Sequence, residues 1–213
     1  MSRPLPPIIF VRHGETDWNR QGLIQGTIDT DLNETGRAQA QAVALALLSR
    51  REELRAYDFI VSPQRRAQDT MAAINAWQER PAELIRTEPL VRELGFGIWE
   101  AKPFWELKAS PIYPADAEER YYWRPEGGES YEDGVARIKI LLDRLENPTL
   151  IVAHGAIGRC LMGVIGNKSP AEIVNLKTPQ GCYCQLQDGA IAWPWTLPTV
   201  GLSLMTAHIL LIR

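Results

Sequence analysis

Apolar runs of strand length alternate along this chain with longer stretches of helical period, and few architectures accept that order. Ile8-Ile9-Phe10-Val11 is short, apolar and β-branched, and reads as a buried strand. Asn33 can cap a helix to about Ser49 whose inner side carries Ala40, Val43, Leu47 and Leu48. Phe59-Ile60-Val61 reads as a second strand, and Ser62-Pro63 as the cap and first residue of a helix to about Glu79. Leu84-Ile85 is a weak third strand. Ser130 and Asp133 make a capping-box-like start, after which Tyr131, Val135, Ile138, Leu142 and Leu145 recur at threes and fours. Thr149 to Val152 is the clearest strand. Helices are expected from Ala156 to about Val164 and from Ala171 to Leu176. Cys182–Leu186, the Asp188-Gly189 turn and Ala190–Trp193 carry a hairpin signal. The pattern predicts an α/β fold, a three-layer α/β/α sandwich around a mainly parallel sheet. With no linker or repeat, residues 1–213 read as one domain. The segment of about 102–128 differs, being rich in proline and in the aromatics Phe104, Trp105, Tyr113, Tyr121, Tyr122 and Trp123. It reads as an insertion covering the active-site end of the sheet, or else as a surface loop whose aromatics pack on the body.

Charge and cysteine content narrow the function classes. Lys and Arg total 23 against 26 Asp and Glu, a net charge of −3, without a cluster of five or more like charges. A nucleic-acid surface wants a basic stripe, so no nucleic-acid partner is expected. No apolar run reaches the ~18–20 residues of a membrane span, so no membrane partner is expected. The prolines near Met1-Ser2-Arg3-Pro4 interrupt any signal-like stretch. Three cysteines, Cys160, Cys182 and Cys184, are an odd number without a CxxC pair, which fits a reducing, cytoplasmic setting. Cys182 and Cys184 alternate on one strand face with no third ligand nearby, so no metal site is expected there. A homodimer would be the commonest assembly for such a chain.

Two of the three histidines, His13 and His154, each follow an apolar strand and precede a glycine. The carboxyl ends of parallel strands are where ligands bind, so both belong at one end of the sheet. Arg12 stands beside His13, and Arg65-Arg66 open the helix after the second strand. Neighbours on a helix point about 100° apart, so only one of that pair can face a pocket. Arginines and histidines gathered at strand ends make an oxyanion pocket. Glu93 lies in a glycine-containing loop past the third strand and is a candidate proton donor, with Glu100 its rival.

Five ordered blocks then carry a resemblance: R-H-G-E-T-D-W-N at 12–19, continuing through Gln25-Gly26 and D-L-N-E-T-G-R-A-Q-A at 31–40; S-P-Q-R-R-A-Q-D-T at 62–70; R-E-L-G-F-G-I-W-E at 92–100; P-E-G-G-E-S at 125–130; and V-A-H-G-A-I at 152–157. Together they resemble the histidine phosphatase superfamily, also called the phosphoglycerate mutase-like family. The resemblance implies that fold and a phosphohistidine on His13. It implies Arg12, Arg66 and His154 around the phosphoryl oxygens, with Asn19 and the Gly155 amide assisting. Thr16, Gln25 and Gly26 join them as binding residues. Arg66 is chosen over Arg65 because the family arginine directly precedes alanine. Glu93 would protonate the leaving alcohol and then activate water, and no metal or other cofactor is required.

The 61 positions between Glu93 and His154 (154 − 93) resemble the short phosphatase branch. The implied function is a metal-independent phosphomonoesterase of a small phosphorylated metabolite. A 2,3-bisphosphoglycerate-dependent mutase is the alternative, and a non-catalytic module binding phosphorylated ligands a more distant one. Nucleotides, α-ribazole phosphate, sugar phosphates and phosphoglycerates all stay open as substrates. One departure is Ala101, where the family often has glycine, which bears on local loop shape. Nothing in the tail from Trp193 to Arg213 matches the family, and His208 within it reads as structural or incidental.

Overall fold

A computed structural model describes residues 4–196. The expectation for His208, and most of the tail, lie outside the described residues. Six described strands form one sheet: β1 (Ile8–Arg12), β2 (Asp58–Val61), β3 (Ile85–Thr87), β4 (Thr149–Ala153), β5 (Cys182–Gln187) and β6 (Ala190–Thr196). Their order is β3-β2-β4-β1-β5-β6. The first four neighbours run parallel, and the β5–β6 hairpin adds an antiparallel edge beside β1. Asp188 and Gly189 close that hairpin at φ of 50° and 82°, the two left-handed residues that a tight twisted turn demands.

Helices cover both faces. On one side α2 (Glu34–Leu48), α3 (Arg51–Leu54) and α4 (Arg65–Gln78) bury Val43, Leu47, Leu54, Met71 and Ile74 against Ile9, Val11, Leu150 and Val152. On the other, α7 (Tyr131–Arg144), α8 (Gly155–Ile165) and α9 (Pro170–Asn175) bury Ile138, Leu142, Ile157, Leu161 and Ile173 against Ile8, Phe10, Ile151 and Ala153. Successive residues of β1 and β4 thus serve opposite cores. That is why both strands are unbroken apolar runs rather than alternating ones. At ~25 cal/mol per Å² of apolar area, these two layers dominate the favourable side of folding.

The expected caps hold at two helices. The Gly36 amide donates to Asn33 Oδ1 at 2.8 Å, and Ser130 and Asp133 form a reciprocal capping box. The third expectation is corrected. Gln64, not Ser62, precedes the first residue of α4, and the Ser62 hydroxyl is turned toward His154 instead. Leu84 closes a short 3-10 turn, so β3 begins one residue later than expected. The 102–128 segment contains two short helices that sequence periodicity did not reveal, α5 (Phe104–Ala109) and α6 (Ala117–Tyr122). Leu107 of α5 is fully buried with Ile24 and Trp99, and α6 packs on α9.

Candidate active site

Strand register brings the site together. β1 and β4 are adjacent and parallel, with Arg12 opposite Ala153. The His13 amide donates to the Ala153 carbonyl at 2.9 Å, so His13 and His154 stand one step beyond the last paired residues. Their ring centroids are 5.1 Å apart. On the other flank of β4 the Ser62 amide donates to the Val152 carbonyl at 3.0 Å, which brings the end of β2 alongside.

His13 is buried, and its Nδ1 lies 2.7 Å from the Gly14 carbonyl oxygen. A carbonyl only accepts, so the imidazole proton sits on Nδ1 and the Nε2 lone pair is left for chemistry. Burial, then the Arg66 and Arg12 charges, hold His13 well below the ordinary histidine value. His13 is therefore neutral near pH 7, the form a nucleophile needs. His154 is wholly buried, with Nε2 2.6 Å from Ser62 Oγ and Nδ1 buried without a protein partner. Burial and the neighbouring Arg66, His13 and Arg12 hold it well below the ordinary value too.

Two guanidiniums flank His13. Arg66 is fully buried and donates to the Ile28 and Gly26 carbonyls at 2.8 and 2.9 Å. Arg65, the next residue around the helix, is exposed and pairs with Asp31 at 2.9 Å. Arg12 donates to the Thr178 carbonyl at 2.8 Å and lies over Gly155. Burial draws its pKa down to about 10, opposed by Glu93 and reinforced by Arg159 and Arg66. The Nε atoms of Arg12, Arg66 and Arg159 are buried without a protein partner. None of the ion pairs among the described residues involves these three arginines. Buried guanidiniums with no direct ion-pair partner mark a place built to receive an anion.

Glu93 caps α8. Its Oε2 accepts from the Ala156 amide at 3.0 Å, and its Oε1 from the Ile157 and Leu94 amides at 2.9 and 3.0 Å. The rival Glu100 has another occupation: Oε1 accepts from the Thr27 and Phe96 amides at 2.8 and 3.0 Å, tying two loops together. Gly26 sits in that knot at φ 51°, where a Cβ would fall 2.1 Å from Glu100 Oε1. A side chain there would have to displace the Glu100 carboxyl and hold a left-handed backbone, both of which glycine avoids.

A cavity of about 1010 Å³ opens over this end of the sheet. Arg12, His13, Asn19, Gln25, Gly26, Arg66, Glu93 and Gly155 line it. His154 is fully buried beside His13 and is not among the lining residues, but its Nδ1 is without a protein partner. Thr16 is also buried off the wall, capping α1 (Asp17–Gln21) and bonding Gln25 Oε1 at 3.1 Å. Phe104, Lys108, Tyr113, Arg120 and Trp123 of the 102–128 segment form the outer wall.

Sequence reasoning missed several contributors. Gln64 is a strut whose Nε2 donates to the Gly26 carbonyl at 2.9 Å and whose Oε1 accepts from the Glu93 amide at 2.8 Å. Ser62 contacts His154, and Arg159 and Tyr131 line the cavity from α8 and α7. Arg159 did carry a signal: it is the one charge in an otherwise apolar helix at the strand end. Cys182 and Cys184 are buried free thiols, and no metal-binding group of three His, Cys, Asp or Glu occurs among the described residues.

Comparison with known proteins places this geometry. The model of the histidine phosphatase superfamily (branch 1) matches residues 8–194. A glucosyl-3-phosphoglycerate phosphatase of Mycobacterium tuberculosis is 32% identical over 164 residues, covering 70% of each chain. A fructose-2,6-bisphosphatase of Danio rerio is 37% identical over 152 residues, covering 70% of this chain and 56% of that one. Among solved structures, a mycobacterial glucosyl-3-phosphoglycerate phosphatase complexed with VO3 superposes with a TM-score of 0.73 at 28% identity, covering 88% of this chain and 96% of that one. The chain belongs to the histidine phosphatase superfamily, branch 1, and its activity is that of a phosphatase.

Proposed function

We propose that the chain hydrolyses the phosphomonoester of a small metabolite in two displacements through His13. The observation that carries this is the His13 tautomer: Nδ1 is committed to the Gly14 carbonyl, and the Arg12 and Arg66 guanidiniums, whose Nε atoms have no protein partner, share the cavity wall with the ring. In the first step the Nε2 lone pair attacks phosphorus and the phosphorus–oxygen bond to the alcohol breaks. Arg12, Arg66, Asn19 and the Gly155 amide stabilise the phosphoryl oxygens, and the unpartnered Nδ1 of His154 is the fourth side-chain donor. The leaving alcohol takes its proton from Glu93. Oε1 of Glu93 already accepts two amides while Oε2 accepts one, so the mobile proton rides on Oε2. In the second step Glu93 removes a proton from water, water attacks the phosphohistidine, and inorganic phosphate leaves. Thr16, Gln25 and Gly26 act by holding Asn19 and Arg66 in position.

The relatives' names make phosphorylated sugars the first compounds to assay. The cytoplasm is the compartment we infer, on the strength of three free, buried thiols. Rapid quench with labelled 4-nitrophenyl phosphate in excess EDTA tests the mechanism. Acid-labile, base-stable label is expected on the wild type and none on His13→Ala. Turnover that vanishes with chelator and returns with a divalent ion refutes it.

A further inference from the structure

We propose that Gln64 is the positioning residue for the Glu93 proton: it fixes the loop that carries Glu93 to the same carbonyl that anchors Arg66, so that proton donor and phosphoryl pocket keep one spacing. This rests on the phosphatase reading above and adds to it a residue that does not itself line the cavity.

Gln64 is the residue before α4, a position where Ser, Thr, Asp or Asn commonly caps a helix through its side chain. Its side chain makes no such bond, and the first amide of α4, on Arg65, donates to Asp29 Oδ1 at 2.7 Å instead. The glutamine side chain is thus released from capping, yet it is buried. It spans two loops. A carbonyl only accepts and an amide N–H only donates, so the Gln64 amide has one orientation, with Nε2 on the Gly26 carbonyl at 2.9 Å and Oε1 on the Glu93 amide at 2.8 Å. The Gly26 carbonyl also accepts from Arg66 Nη2 at 2.9 Å. One oxygen therefore holds both the guanidinium of the phosphoryl pocket and the side chain that seats the proton donor. Joining an acceptor to a donor across this gap takes an amide of this length. Methionine would fill the volume with neither bond, and glutamate would offer the acceptor without the donor. The rest of the Glu93 loop has other anchors. Arg137 Nη1 donates to the Leu90 and Arg92 carbonyls at 2.8 and 3.1 Å, and the Gly95 amide donates to Glu129 Oε2 at 3.0 Å. Loss of the Gln64 side chain leaves those anchors in place and frees the backbone at Glu93 itself. A shift of about 1 Å there is enough to cost ~10²-fold in a step that depends on placement.

Leaving-group dependence in the intact chain tests this. Benzyl phosphate and 4-nitrophenyl phosphate are close in size, but only the benzyl alkoxide needs a proton in order to leave. Rapid-quench bursts read the phosphorylation of His13 by each. Gln64→Met is expected to slow the benzyl burst by about 10- to 100-fold and the nitrophenyl burst by less than about 3-fold. Inorganic phosphate should compete almost as well as before, because Arg66 keeps its bonds to Ile28 and Gly26. In a Glu93→Gln background, Gln64→Met should add nothing to the difference between the two esters, since both changes act through one proton. Gln64→Asn, one methylene too short to span both loops, should lower the benzyl-to-nitrophenyl ratio in the same direction, and it serves in place of the methionine variant should that one not fold. Gln64→Glu keeps an acceptor for the Glu93 amide and should recover part of the ratio. A glutamine that merely supported the fold would slow both bursts alike. Equal losses for the two esters, a further ester-specific loss in the Glu93→Gln background, or no recovery in Gln64→Glu overturn the proposal. A wild type that takes up no label from either ester overturns the phosphatase reading and this proposal with it.

Discussion

Glu93 shows how one residue ties fold to chemistry. It caps α8 through the Ala156 and Ile157 amides and accepts a third from Leu94, and the same carboxyl is the proposed proton carrier. Glu93→Gln keeps the size but loses the proton, so an alkyl phosphate should lose about 10²–10⁴-fold in the phosphorylation of His13. A nitrophenyl phosphate, whose leaving group departs without help, should lose far less in that burst. Pre-steady-state bursts with both substrates read this directly, and equal losses would remove Glu93 from the role. The choice of Glu93 over Glu100 was open in the sequence, because both flank the same glycine loop. Only three-dimensional contact separates them: Glu93 lines the cavity, whereas Glu100 is bound to Thr27 and Phe96 and does not line it. The choice of Arg66 over Arg65 came from resemblance, and helix geometry gives its reason, one side chain buried at the site and its neighbour paired with Asp31 in solvent. Gln64, by contrast, was illegible. It stands within the 62–70 block, but a glutamine that braces two loops has no charge or periodicity to single it out there.

At the scale of elements, the parallel strands and long helices were legible because burial on both faces writes itself as apolar runs and helix periods. The two helices of the 102–128 segment were not. Each is only six residues long, too short to display a period, and they are ordered by tertiary contacts of Leu107 and Tyr121. The loop before them holds a departure with a measurable cost. Ala101 occupies φ 66°, where the family often has glycine, and its amide donates to the Ile24 carbonyl at 2.8 Å. The left-handed turn is therefore kept despite a Cβ that disfavours it by ~1–2 kcal/mol. Ala101→Gly relieves that strain and gives back part of it through a looser unfolded chain, for a net gain of about 0.5–1 kcal/mol. Thermal unfolding should shift upward by roughly 1–4 °C for a chain of this size. A midpoint that stays put or falls would mean that the turn is not strained.

The whole molecule carries the electrostatic consequence of closing this site. Six strands and two helix layers bury His13 and His154 beside Arg12 and Arg66, and burial is the main cause of their low proton affinity. Well above pH 7 both histidines are neutral in folded and unfolded chains alike, and they contribute no pH dependence. As pH falls through about 6.5 the unfolded chain takes up protons that the folded chain refuses. Stability therefore declines with falling pH, by up to about 1.4 kcal/mol per pH unit for each histidine, until the folded-state values are reached. Carboxylates enter at still lower pH, so the window from about pH 7 to 5.5 isolates the histidines. Urea unfolding of the wild type across that window should lose stability steeply, and the His13→Gln, His154→Gln double variant should lose it much less. Saturating inorganic phosphate should also flatten the wild-type slope. An oxyanion between Arg12 and Arg66 offsets their charges and makes a proton on either imidazole easier to keep. Equal slopes for wild type and double variant would show that these two side chains are not the buried neutral pair that the geometry requires.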